Sequence, residues 1–195
     1  MRLFYSFIIW VTLLTPGALT SQRKVMFATS DVSIRTSVPI ADSLQAGQVV
    51  LAFLSWYKTH MQAINRRPLI NQPVGKPYSV NLKNGEYYLA YLKSSHLLSD
   101  TYLNQWRIYF KEHNKSFRLN PQDEGPPDGF EFDLVLQSQD VEKQLASLKS
   151  MKINKVTIVR NQATVALTLL GAYEFRLVRQ SNHLVINEIL NIGQE

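Results

Sequence analysis

Residues 129–140 read Gly-Phe-Glu-Phe-Asp-Leu-Val-Leu-Gln-Ser-Gln-Asp and separate a helix-patterned first half of the chain from a strand-patterned second half. The stretch combines an apolar set with a set of acceptor side chains. The apolar set is Phe130, Phe132, Leu134 and Leu136, and the acceptors are Glu131, Asp133, Gln137, Gln139 and Asp140. A solvated loop does not need the apolar set, and a plain buried strand does not need three carboxylates and two amides. We therefore expect the rest of the chain to be organised around this stretch.

Apolar residues recur at every second position after Met151, which is the period of a strand. The strand candidates are 153–159, 163–170, 173–178 and 184–192. The third alternates most clearly, with Tyr173 and Phe175 on one face and Glu174 on the other. The connections are short, so the sequence predicts antiparallel neighbours in a meander.

Helical patterns precede the central stretch. The predicted helices are a long one that begins after Asp42 or Ser43 and ends near Asn65, a short one over 86–98, one that begins after Ser99 or Asp100 and ends near His113, and one or two turns over 142–148. Residues 69–85 are predicted to be a loop that ends in an Asn84-Gly85 turn, and 121–129 a surface loop. Helices followed by strands predict an α+β domain in which N-terminal helices pack on a curved antiparallel four-stranded C-terminal sheet.

The first residues have the pattern of a secretory signal. Arg2 precedes an apolar run over 3–14, and small residues follow the helix breaker Pro16. The run is shorter than the roughly 20 residues that span a bilayer. We expect a cleaved signal peptide over 1–21, an extended lead-in over 22–43 and a single α+β domain over 44–195, in an exported protein. An uncleaved N-terminal anchor is the alternative.

The composition excludes several kinds of site and makes some classes of partner unexpected. The chain contains no Cys, which excludes thiol catalysis, thiolate metal sites and disulfide scaffolds. The formal charge of +6 is spread along the chain without a basic run, so nucleic acid is not an expected partner. A protein partner or a small ligand is expected, and the charge also allows an anionic envelope surface. After signal cleavage, the sequence does not predict an integral membrane protein.

Three short motifs resemble a family of small exported bacterial proteins, a domain-of-unknown-function family with the nuclear-transport-factor-like (cystatin-like) α+β cone. The motifs are Phe53-Leu54-Ser55-Trp56-Tyr57, then Leu97-Leu98-Ser99-Asp100-Thr101-Tyr102 leading to Trp106 and Phe110, and Phe132-Asp133-Leu134 with Gln139-Asp140. The four closing strands, which end in Leu184-Val185-Ile186-Asn187-Glu188-Ile189, fit the family's last β-meander. The resemblance covers about 46–192 and implies a fold and an exported life rather than a reaction. Some exported proteins of this fold are toxin-neutralising immunity proteins, and others bind small ligands in the cone.

No complete set of catalytic or metal-binding residues stands out. The four histidines are His60, His96, His113 and His183, and the sequence has neither a G-x-S-x-G elbow nor an H-E-x-x-H motif. Acidic residues around the central stretch leave calcium open, although their spacing fits no EF-hand loop. These are Asp123, Glu124, Asp128, Glu131, Asp133 and Asp140. We expect no cofactor, no metal and no assigned catalytic residue.

Five residues are the candidates for contact with a ligand or partner. They are Trp56, Tyr57, Asp133, Gln139 and Asp140. Asp133 and Asp140 have an alternative interpretation as caps of turns, because Asp140 precedes the helix-favouring Val-Glu-Lys-Gln. The leading functional hypothesis is an exported non-enzymatic binding or toxin-neutralising (immunity-type) protein. The alternative is a small lyase, isomerase or hydrolase that uses an Asp and a Tyr of the cone pocket.

Overall fold

The computed structural model describes residues 40–193, with side chains from Asp42 onwards, so the predicted signal peptide and most of the lead-in lie outside the described residues. In this range the fold is α+β, with four α-helices and a four-stranded antiparallel sheet. The helices are α1 (Ile40–Ile64), α2 (Leu82–Lys93), α3 (Asp100–Leu119) and α4 (Val141–Ala146), which a 3-10 turn over Ser147–Ser150 extends. A small two-stranded sheet, β1 (Ile70–Asn71) with β2 (Ser79–Val80), lies between α1 and α2.

The main sheet is the predicted meander. Its strands are β3 (Lys152–Val159), β4 (Gln162–Leu169), β5 (Gly171–Gln180) and β6 (His183–Asn191), in the order β3-β4-β5-β6. One face of the sheet is apolar and buried. In the register, Val165 lies opposite Phe175, which lies opposite Ile189, and all three side chains are buried. The helices cover this face, with α1 in contact with β3, β4 and β6.

Strand β3 is an outer strand of the sheet. Its register with β4 is interrupted between Ile153 and Lys155, so Asn154 is left without a partner residue in the ladder. The strand also carries Lys152 and Lys155, and most of its residues are exposed.

The predicted short helix over 86–98 is wrong at both ends, because α2 begins at Leu82 and ends at Lys93. Asn84-Gly85 is not a turn but lies in the first turns of the helix, because Asn81 is the N-cap and its side chain accepts a 3.0 Å hydrogen bond from the Asn84 N–H. Gly85 is buried against the ring of Phe110, where a Cβ atom would lie 2.9 Å from a ring carbon. Glycine therefore serves close packing between α2 and α3 at this position.

The end of α3 also differs from the prediction. The helix passes His113 and continues to Leu119, because the buried Phe117 extends its apolar face by another turn. Its predicted N-terminus is confirmed. Ser99 is the N-cap and accepts a 2.9 Å hydrogen bond from the Tyr102 N–H. The connection before α3 is fixed to the main sheet by hydrogen bonds of 2.8 Å from Ser99 N–H to the Ile186 carbonyl and from Ile186 N–H to the Leu97 carbonyl.

Candidate functional site

The central stretch folds into a closed turn that holds Asp133. The Asp133 N–H donates to the Ser138 carbonyl over 3.0 Å, and the Leu136 N–H donates to Asp133 Oδ1 over 2.8 Å. Gln137 has a φ of 49°, in the left-handed region, which reverses the chain before Ser138. Leu134, Val135 and Leu136 are all buried, so three consecutive apolar side chains anchor the turn in the core.

Side chains from the sheet and from α4 hold the far side of this turn. The Tyr173 hydroxyl lies 2.8 Å from Gln144 Oε1 and 3.2 Å from the Leu136 carbonyl oxygen. The Asn191 amide donates to the Gln137 carbonyl over 3.1 Å. Burial raises the pKa of Tyr173 to about 12, so the phenol stays protonated and able to donate. The turn that carries Asp133 is thus fixed from β5, β6 and α4.

Tyr57 of α1 completes the immediate surroundings of Asp133. Its side chain is fully buried, and its hydroxyl donates a 2.5 Å hydrogen bond to Asp133 Oδ2. Burial raises the pKa of Asp133, whereas the hydrogen bond from Tyr57, the N–H groups of Leu136 and Val135 and the Asn65 side chain lower it, and the net shift is upward. None of the ion pairs formed by residues 42–193 includes Asp133. Asp133 is therefore a largely buried carboxyl whose hydrogen-bond partners are neutral.

Two further tyrosines surround the same carboxyl. Tyr88 of α2 is 4% exposed and Tyr102 of α3 is 3% exposed, and among residues 42–193 neither hydroxyl has a partner at hydrogen-bonding geometry. Burial raises the pKa of both phenols and the charge of Asp133 raises them further, whereas the Tyr57 side chain lowers the pKa of Tyr88 and the Trp106 side chain lowers that of Tyr102. Three helices each contribute one phenol to the neighbourhood of Asp133. Of these three hydroxyls, only that of Tyr57 donates a hydrogen bond to another of the described residues.

A cleft of about 470 Å³ opens onto this cluster. Asp133 and Tyr88 form part of its lining. The remaining lining residues are Met61, Asn65, Arg67, Pro68, Leu69, Ile70, Gln72, Pro127, Phe130, Phe132, Leu134, Val141 and Glu142. Arg67 is exposed, and its guanidinium carbon lies 4.1 Å above the centre of the Tyr87 ring. The walls of the cleft therefore combine apolar and aromatic side chains with polar and charged ones, and a carboxyl and a phenol are among the polar groups.

A second cleft, of about 190 Å³, lies between α3 and β6. Tyr102 is part of its lining, together with Trp106, Tyr109 and Glu188. The neighbourhood of Asp133 is therefore bordered by one cleft that Tyr88 lines and by another that Tyr102 lines.

The structure brings two of the five candidate residues together, namely Tyr57 and Asp133. Trp56 lies on a different face of α1, where it is half-buried and stacks on His60 with ring centres 4.6 Å apart. Gln139 and Asp140 are exposed and belong to neither cleft. The capping interpretation is confirmed for Asp133, which accepts from Leu136 N–H within its own turn. Asp140 occupies the N-cap position of α4 but makes no capping hydrogen bond, and pairs instead with Lys143 over 2.6 Å.

Sequence reasoning missed Tyr88 as a site residue. The prediction placed the start of α2 four residues too late. The available signal was Asn81 as an N-cap. A helix that begins after Asn81 has Gly85, Tyr88 and Leu92 on one face, and all three are buried.

Among the described residues, no group of three or more histidine or acidic side chains is placed to hold a metal ion. No helix in the described part of the chain is long and apolar enough to cross a membrane. Comparisons with protein-family models, curated proteins and solved structures gave no match.

Proposed function

We propose that this protein is a non-enzymatic binding protein that holds a small molecule in the 470 Å³ cleft, with Asp133 as the polar anchor. One observation carries the proposal. A largely buried carboxyl with neutral partners lines the cleft, together with a buried Tyr88 whose hydroxyl has no partner at hydrogen-bonding geometry in the described part of the chain.

Physical chemistry favours a ligand at such a place. Buried polar groups in folded proteins are almost always hydrogen-bonded, and one without a partner costs about 1–3 kcal/mol. The cleft volume falls within the range of about 300–1,000 Å³ that is usual for small-molecule sites. Its walls combine apolar and aromatic side chains with a few polar groups, which is the usual composition of such sites.

A fragment screen by NMR on the intact, isotopically labelled protein tests the proposal. Bound fragments are expected to shift the resonances of Asp133, Tyr88 and Phe132, and to lose affinity in Asp133→Asn. The matched control is Asp140→Asn, which makes the same chemical change at an exposed carboxylate outside both clefts and should leave affinity unchanged. Fragments that bind elsewhere, or equally well to Asp133→Asn, would count against the site.

A second candidate function is proton transfer by Asp133, as in the lyase, isomerase or hydrolase alternative. The raised pKa of Asp133 favours it, because a general base near neutral pH needs a pKa above the ordinary carboxyl value. The hydrogen bond from Tyr57 opposes this shift but holds the carboxyl in place. In this reaction class, Asp133 takes a proton from a carbon next to a carbonyl, and the Tyr88 hydroxyl donates a hydrogen bond to the carbonyl oxygen. Small ketones found to bind are incubated in D₂O. Exchange that depends on Asp133 supports the enzyme, whereas binding without exchange supports the binding protein.

The proposal extends to the fold family and to export. The order of helices and strands and the three motifs quoted above support a nuclear-transport-factor-like cone. Arg2, the apolar run over 3–14 and the small residues after Pro16 support export to the periplasm or the medium. N-terminal sequencing of the protein from an envelope fraction should begin between Leu19 and Gln22. An intact Met1 in the cytoplasm would contradict export.

The toxin-neutralising form of the hypothesis stays a prediction. It requires a protein partner, whereas the polar groups without partners lie at a cleft and in the core. The small-ligand form has the more specific support for that reason. Co-purification of a stoichiometric protein partner whose binding survives Asp133→Asn would favour neutralisation instead.

A further inference from the structure

We propose that the ligand of the Asp133 cleft is an organic cation with a primary or secondary ammonium group attached to an apolar or aromatic body. This inference rests on the proposed binding function and names its ligand class. It is carried by the neutral surroundings of a largely buried carboxyl and by the aromatic residues in the walls of the cleft.

The first step concerns charge. An ionised carboxylate in a protein interior is normally paired with a cation, and Asp133 makes no ion pair with any residue of 42–193. The groups that face it are neutral: Tyr57 on α1, Tyr88 on α2, Tyr102 on α3 and Tyr173 on β5. A ligand cation would supply the missing partner.

The second step concerns the rim of the cleft. Its charged lining residues apart from Asp133 are Arg67 and Glu142, both exposed. Arg67 is held over the Tyr87 ring on the solvent side of α2 and makes no ion pair with Asp133. With Asp133 ionised, the lining therefore carries two negative charges and one positive charge, which disfavours an anionic ligand and favours a cation.

The third step concerns hydrogen bonds. Asp133 Oδ2 accepts a short hydrogen bond from Tyr57 and Oδ1 accepts one from Leu136 N–H, and the Val135 N–H and the Asn65 side chain also interact with the carboxyl. A carboxylate oxygen has two acceptor sites, so room for a further donor remains. An ammonium group carries several N–H donors and a positive charge. An alcohol also can donate to Asp133, but it has a single donor and no charge to pair with the carboxylate.

The fourth step concerns the body of the ligand. Phe130, Phe132 and Tyr88 all contribute to the lining. The faces of aromatic rings attract an ammonium group, and their apolar area suits the hydrocarbon part of an amine. A bare inorganic cation would not use these walls.

Three probes that share one ring system test the inference. They are tryptamine, indole-3-ethanol and indole-3-propionate, which end in a cation, a neutral hydroxyl and an anion. Dissociation constants are measured by NMR titration of the intact protein at pH 7.5. Tryptamine should bind about tenfold or more tightly than the alcohol, because both can donate to the carboxylate but only the ammonium group adds the attraction of an opposite charge. The carboxylate should bind most weakly.

Variants and a pH series then test whether the preference for the amine over the alcohol depends on Asp133. In Asp133→Asn the advantage of tryptamine over the alcohol should disappear, whereas in Glu142→Gln, the same change at the exposed rim, it should remain. If Asp133→Asn does not fold, the pH series on the unmodified protein decides. Amine binding should release a proton wherever Asp133 is protonated in the free protein, so affinity should rise as pH increases through the pKa of Asp133.

The outcomes separate this inference from the binding function. Equal binding of amine and alcohol, an amine preference that survives Asp133→Asn, or pH-independent affinity around the Asp133 pKa overturns the amine inference. If the alcohol or the carboxylate binds best and still depends on Asp133, the amine inference fails and the binding function stands. If none of the probes depends on Asp133, both fail.

Discussion

The Tyr57 hydroxyl donates a 2.5 Å hydrogen bond to Asp133 Oδ2, which joins the middle of α1 to the turn before α4 across 76 positions of sequence. This bond is one of the influences that keep the pKa of Asp133 from rising further. Tyr57 therefore has both a structural and an electrostatic effect on the site.

Removal of the Tyr57 hydroxyl should change both the stability of the fold and the pKa of Asp133. Tyr57→Phe is expected to raise the pKa of Asp133 and to destabilise the fold by about 1.5–3 kcal/mol at neutral pH, which is the usual contribution of a hydrogen bond to a charged group. Carboxyl ¹³C NMR titration and chemical denaturation measure the two effects. An unchanged Asp133 pKa would show that the bond does not form in solution.

Removal of the hydroxyls of Tyr88 and Tyr102 should have the opposite effect on stability. Tyr88→Phe and Tyr102→Phe each remove a buried hydroxyl that makes no hydrogen bond. We expect unchanged stability or a gain of up to about 1–3 kcal/mol, since an unsatisfied buried group is removed. Denaturation midpoints of both variants are compared with that of Tyr57→Phe. A loss as large as that of Tyr57→Phe would reveal a partner such as a bound water.

The raised pKa of Asp133 predicts a particular dependence of stability on pH. Because the pKa is higher in the folded than in the unfolded state, the folded protein holds more protons in the interval between the two values. The stabilisation from this group is fully present below about pH 4, the unfolded pKa, and is lost as pH rises through the folded pKa. In Asp133→Asn this decrease should be absent. The free energy of unfolding, measured for both proteins between pH 3.5 and pH 8, checks the trend, and parallel curves would contradict it.

The different burial of Phe53 and Trp56 on α1 predicts different losses of stability when each is replaced by alanine. Phe53 is fully buried, so Phe53→Ala should cost about 3–5 kcal/mol. Trp56 is only half-buried and stacks on His60, so Trp56→Ala should cost less, about 1–3 kcal/mol. Denaturant unfolding of the two variants gives the comparison. Equal losses would mean that Trp56 is covered in solution by something other than residues 42–193.

Asp140 should contribute little to stability. Its side chain makes no capping bond, and its ion pair with Lys143 is exposed, at 64% for Asp140 and 76% for Lys143. Exposed ion pairs contribute about 0–1 kcal/mol, so Asp140→Ala is expected to change the free energy of unfolding by less than about 0.5 kcal/mol. Lys143→Ala is the matched control. A loss of about 1 kcal/mol in Asp140→Ala alone would show that the cap forms after all.

Local patterns predicted most of the fold. The alternation around Tyr173 and Phe175 found the meander, and the cap at Ser99 found the start of α3. The start of α2 was wrong, because Asn84-Gly85 has the composition of a turn and only the packing of Gly85 against Phe110 shows why glycine is needed inside the helix. Local sequence carries no information about a contact of that kind.

The site was predicted only in part for a similar reason. Tyr57 and Asp133 were both candidates, but their contact spans 76 positions and no spacing rule connects them. Gln139 and Asp140 are close to Asp133 in sequence but not in the site, because the chain reverses at Gln137 and turns them towards solvent. Their closeness to Asp133 in sequence made them candidates although they are not part of the site. Tyr88 was missed because the start of α2 was predicted too late.

The outer strand β3 has a consequence for solubility. An eight-residue strand at the edge of a sheet, with Ile153 and Val159 exposed, is a template on which a strand of another molecule can add and start aggregation. The charges of Lys152 and Lys155 and the ladder interruption at Asn154 oppose such growth. We expect variants that neutralise these lysines to keep the fold and yet to aggregate through this edge. At high concentration, the edge strand rather than the core therefore limits which surface substitutions the protein tolerates.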